Sequence, residues 1–134
     1  MKYLLDTNIC IYIINGRPPA VLERFDQHPL GAIGISTITA SELAFGVVKS
    51  GSEKNRRALE KFLAPLEVAP FSREAIWTYG TLRAALERRG RPIGSLDTLI
   101  AAHALSLDVT LVTNDVGDFE RVPALKVENW AHSD

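Results

Sequence analysis

One cysteine, Cys10, stands among 134 residues, which excludes an intrachain disulfide framework and fits a reducing compartment. Long apolar stretches are missing as well. The longest uninterrupted run, Ile9 to Ile14, falls far short of the roughly 20 residues a membrane span needs. Nine Gly and seven Pro, beside 46% hydrophobic residues, are too few for a disordered or collagen-like chain. Asp6 interrupts the opening Met-Lys-Tyr-Leu-Leu before a signal-peptide core can form. The expectation is a soluble, cytoplasmic protein with no membrane partner. Net charge is also nearly absent, at −1, yet it is unevenly spread. Residues 49–91 hold ten Lys and Arg against five Glu, and the acidic excess lies elsewhere. A basic face can hold phosphates, although solvated helices carry the same residues.

What is present reads as one domain spanning 1–134, long enough to bury about two-thirds of the surface its unfolded chain exposes. Lys2 to Leu5 and Val109 to Val112 read as buried strands, Ala32 to Ile35 as another, with weaker ones at Glu67 to Phe71 and Leu125 to Glu128. Between them, helices are marked at Ile9 to Asn15, from Pro18 or Pro19 to Phe25, Thr37 to Val48, Glu53 to Leu63, a long helix ending at Gly90, and one that carries Asp97 through Leu107. Ser36 or Thr37, Ser72 and Ser95 are positioned to cap helices. Strands alternating with helices imply an α/β fold, a mostly parallel central sheet flanked by helices. Ligands of such sheets bind at the carboxyl ends of the strands.

Acids gather at that edge. Asp6 follows the first strand, and Asp115 follows Val109 to Asn114. Glu42 and Asp97 lie early in helices, where side chains tilt back toward the helix start. Each acid alone has a plain reading, as a turn former, a solvated residue or a complement to a helix dipole. Four together require a cation or raised pKa values, because carboxylates about 4 Å apart repel by about 4 kcal/mol at an effective dielectric near 20. All-oxygen ligation suits Mg²⁺ or Mn²⁺, and the separated His28, His103 and His132 beside a single Cys do not make a zinc site. Cys10 reads as a small buried hydrophobe, and Trp77 and Trp130 as packing residues.

Leu5-Asp6-Thr7-Asn8, Ser41 to Gly46, Gly90 to Asp97, and Val112 to Asp115 with Asp118-Phe119-Glu120 occur in order along the chain. The set resembles the PIN-domain ribonucleases, and most closely the VapC toxins of bacterial toxin–antitoxin pairs. The resemblance implies Mg²⁺- or Mn²⁺-dependent endonucleolytic cleavage of RNA, with a water activated for in-line attack on a phosphodiester. It makes Asp6 and Asp97 the principal ligands, with Glu42 and Asp115 completing the acidic cluster. Asp118 and Glu120 compete with Asp115 for the fourth place, and Asp115 is nearest the strand end. Thr113 and Asn8 are the supporting residues. Arg88 to Gly94 resembles the toxins that cut initiator tRNA in its anticodon stem-loop. Arg56, Arg57, Arg88, Arg89 and Arg91 are then the candidate phosphate contacts. A homodimer is also implied, as is a small antitoxin placing an Arg or Lys in the acidic pocket.

Two other readings remain open. A metal-dependent phosphatase wants a second acid two residues after Asp6, where Asn8 stands, and a nearby Lys, yet none occurs between Leu63 and Lys126. A non-catalytic RNA- or protein-binding module would keep the fold and lose acids, whereas all four are present.

Overall fold

The computed structural model describes residues 1–131, so His132 lies outside it. Five strands form the sheet: β1 (Tyr3–Leu5), β2 (Ile33–Ser36), β3 (Glu67–Ala69), β4 (Thr110–Val112) and β5 (Val127–Glu128). Helices of 8 to 16 residues join them: α1 (Thr7–Asn15), α2 (Pro19–Asp26), α3 (Thr37–Ser50), α4 (Glu53–Leu63), α5 (Arg73–Arg88) and α6 (Ser95–Leu107), with a short α7 (Val116–Phe119). Every strand pairing is parallel, in the order β3-β2-β1-β4-β5. The strand order reverses between β1 and β4, so the crevice at their carboxyl ends is where such a sheet binds ligands.

Alternation along the strands divides the core between the two faces. Leu4 and Leu111 point to α5 and α6, packing with Leu82, Leu86 and Ile100. Leu5 and Val112 point the other way, to Ile9, Leu43, Leu59 and Trp130. Ala101, Ala102 and Ala104 are fully buried in α6, and such small side chains let the helix lie close to its neighbours. Truncating a buried leucine such as Leu111 to Ala costs about 2–5 kcal/mol.

Ser36 and Ser72 cap helices as expected, and Ser52 does so as well. Ser36, Ser52 and Ser72 accept the N–H of Ile38, Asn55 and Ala75 at 3.0, 3.1 and 3.2 Å. Ser95 does not cap α6. Gly94 occupies that position, and the Thr98 hydroxyl donates to the Gly94 carbonyl at 2.8 Å instead. Two further departures are the 3₁₀ turn Leu30–Ala32 and α7, both too short to show a periodicity in sequence. Trp130 is fully buried as a packing residue, but Trp77 is 77% exposed on the outer face of α5. Its neighbours in the apolar pattern, Leu82 and Leu86, take the core-facing stripe and leave Trp77 outside it.

Candidate active site

The β1–β4 register sets the centre of the site. Leu5 pairs with Val112, so the next residues, Asp6 and Thr113, emerge side by side at the sheet edge. Asp6 caps α1, its Oδ1 accepting the Thr7 N–H at 2.8 Å while its Oδ2 accepts the Thr113 hydroxyl at 2.8 Å. Thr113 Oγ1 also accepts the Asp115 N–H at 3.0 Å, so one hydroxyl joins two acids. Asp6 is only 6% exposed. Burial pushes its carboxyl above the ordinary value, the Thr113 and Thr7 bonds pull it down, and the Asp115 charge pushes it up again.

Three more segments bring acids to this point. One carboxylate oxygen each from Asp97, Asp115 and Asp118 lies within 4.8 Å of the others. Asp97, in the first turn of α6, is pushed up to about 6, by burial first and then by Asp6, Asp115, Asp118 and Glu42. A helix start would ordinarily favour its negative charge, so repulsion and burial outweigh the dipole. Glu42 enters from α3, its Oε1 accepting the Thr7 hydroxyl at 3.0 Å.

This donor set fits a hard divalent cation. Ligand oxygens about 2.1 Å from Mg²⁺ stand at most about 4.2 Å apart, so a small contraction converts the Asp97, Asp115 and Asp118 cluster into a ligand shell. Nitrogen and sulfur donors are engaged elsewhere among the described residues. His28 stacks on Trp130 at 5.5 Å, and His103 Nδ1 lies 2.8 Å from Ser36 Oγ. Cys10 is buried, which raises its thiol above the ordinary value and suits a packing role.

The expected supporting residues divide. Thr113 bonds Asp6 directly, whereas Asn8 donates to Asn114 Oδ1 at 3.5 Å and Asn114 in turn donates to the Tyr12 hydroxyl at 2.8 Å. Glu120 is exposed and outside the three-acid cluster, which Asp118 joins. Thr7 was not singled out by sequence reasoning, yet it holds both Asp6 and Glu42; its place in Leu5-Asp6-Thr7-Asn8 was the available signal. Arg57, Arg88, Arg89 and Arg91 are exposed, and Arg56 is exposed while paired with Glu60 at 3.0 Å. Arg121 steadies the loop after Arg91, its Nη1 donating to the Pro92 carbonyl at 3.1 Å.

The PIN domain family model matches residues 3–125. The chain belongs to the PIN-domain family. This PIN domain is 44% identical to the ribonuclease VapC2 of Rickettsia felis, over 97% of this chain and 98% of that protein. It is 41% identical to the tRNA(fMet)-specific endonuclease VapC of Shigella flexneri, over 98% and 99% of the two chains. Among solved structures, the DNA-bound VapBC of Salmonella typhimurium superposes with a TM-score of 0.92 at 40% identity, covering 97% of this PIN domain and 98% of that chain.

Proposed function

We propose that this PIN domain is the toxin of a toxin–antitoxin pair and acts as a Mg²⁺- or Mn²⁺-dependent endoribonuclease. The convergence of Asp6, Glu42, Asp97, Asp115 and Asp118 on one sheet edge carries the reading. Asp97, Asp115 and Asp118 lie close enough to share an ion, with Asp6 beside them and Glu42 held through Thr7. When bound, the ion supplies positive charge that offsets the carboxylates and the scissile phosphate and makes a water more acidic. Asp97, with Asp115 and Asp118, would hold the ion, and Asp6, fixed by Thr113 and Thr7, would help to hold it and orient that water. The relatives named for tRNA(fMet) support initiator tRNA as the proposed substrate, which the resemblance of Arg88 to Gly94 narrows to its anticodon stem-loop, with Arg56, Arg57, Arg88, Arg89 and Arg91 contacting phosphates.

Antitoxin docking fits a hollow of about 250 Å³ between α1, α3 and α4, where Ile11, Ile14, Leu43, Val47 and Leu59 form an apolar lining that Glu42 shares. An apolar antitoxin segment lying there would bring a following Arg or Lys to the acids. A homodimer remains part of the reading, with Ile76 and Trp77 on the exposed face of α5 available to it.

Calorimetric titration with Mn²⁺ tests the metal site. The wild-type chain is expected to bind, and Asp97→Asn to lose most of that affinity while keeping its circular dichroism spectrum. Equal binding by both proteins would remove Asp97 from the site.

A further inference from the structure

Helices α3 and α6 carry Glu42 and Asp97, and they are joined by a buried polar contact away from both acids. Ser36 Oγ accepts the Ile38 N–H at 3.0 Å, capping α3, and lies 2.8 Å from His103 Nδ1 in the middle of α6. Both residues are completely buried. Phe71 meets the imidazole edge-on, with ring centroids 5.2 Å apart, and fixes its plane. Nε2 is buried without a well-aligned partner, so Ser36 is the only well-formed side-chain bond of the ring among the described residues. Burial holds the ring below the ordinary histidine pKa, against a weaker upward pull from the nearby Pro70 backbone carbonyl, and favours the neutral form in which one ring nitrogen accepts.

Apolar packing would fill this space without leaving a ring nitrogen unpaired. What the polar contact adds is direction. Glu42 follows Ser36 by six residues along α3, and Asp97 precedes His103 by six along α6. At 1.5 Å per residue, each acid stands about 9 Å along its helix from the bond. Apolar contacts specify no single atom pair, whereas the 2.8 Å Ser36–His103 contact ties one atom of each segment to within a few tenths of an ångström. We propose that the Ser36–His103 hydrogen bond sets the register of α3 against α6 and thereby holds Glu42 opposite Asp97 for metal binding. His103 is a positioning residue and touches no reacting atom. The inference rests on the metal-site reading above.

Mn²⁺ titration of the folded full chain, well below its thermal midpoint, tests it. His103→Leu is expected to weaken Mn²⁺ binding about tenfold, the scale seen when a residue behind a metal ligand is removed. His103→Asn, which places an acceptor near the Nδ1 position, is expected to recover most of the loss. In a Glu42→Gln background His103→Leu is expected to cost markedly less, because the acid it holds opposite Asp97 has been neutralised. Ser36→Ala reproduces the loss and replaces His103→Leu if that variant does not unfold cooperatively. Unchanged Mn²⁺ affinity in the folded variants, or an equal loss with and without Glu42, would overturn the inference alone. A wild-type chain that binds no Mn²⁺ would overturn the metal-site reading together with it.

Discussion

Asp97 concentrates the electrostatics of the site. Its carboxyl holds a proton up to about 6, while in an unfolded chain it would release it near 3.9. The folded state therefore binds more protons across that window and loses stability as pH rises through it. In EDTA at about pH 8, Asp97→Asn is expected to raise the thermal midpoint by a few degrees, and near pH 4 the two proteins should melt together. A lower midpoint for the variant at about pH 8 would contradict this. Mn²⁺ should stabilise the wild type and not the variant. Thr113→Val removes the hydroxyl that pulls Asp6 down, so Mn²⁺ binding should need a higher pH, and the unpaired Asp6 oxygen should cost about 1–3 kcal/mol by denaturant unfolding. Asp6 and Asp97 were legible in sequence because a strand end and a helix start fix where they point. The choice between Asp115 and Asp118 was not, since α7 brings both inward within one turn.

Among the elements, β2 is under the tightest spatial constraint. A Cβ built on Gly34 would meet the Glu67 carbonyl of β3 at 2.9 Å and the Met1 sulfur closer still. Met1 can swing aside, but the β3 backbone cannot without disturbing the ladder that pairs Gly34 with Glu67. Gly34→Ala is expected to cost about 1–3 kcal/mol, measured by chemical denaturation. Wild-type stability in that variant would show that the sheet yields there. The serine caps and apolar spacings made the long helices readable, since a local side-chain bond marks the starts of α3, α4 and α5. Ser95 failed as a cap because the Gly94 backbone and Thr98 hydroxyl settled that turn first. Trp77 shows the limit of periodicity: an apolar residue one step off the buried stripe is exposed.

For the whole molecule, parallel layering followed from the alternation of strands and helices, but the strand order did not. That order places β1 beside β4 and so makes two acids from opposite ends of the chain neighbours. The charge asymmetry belongs to this scale too. Arg88 and Arg89 end the long α5 and are exposed beside the loop that leads to Asp97. Replacing both with Ala should weaken tRNA binding and lower the slope of log affinity against log salt by about 1.5, since each phosphate contact contributes roughly 0.7–0.9. An unchanged slope would remove them from the RNA interface.

Incubation of the purified chain with total tRNA addresses the central claim most directly, in lanes containing Mg²⁺, Mn²⁺ or EDTA and with Asp97→Asn alongside. The account predicts one discrete pair of fragments, arising from initiator tRNA, that appears only with metal and only with Asp97 intact. Intact tRNA in every lane from a chain shown to bind Mn²⁺, or cleavage that survives both EDTA and the substitution, would contradict it.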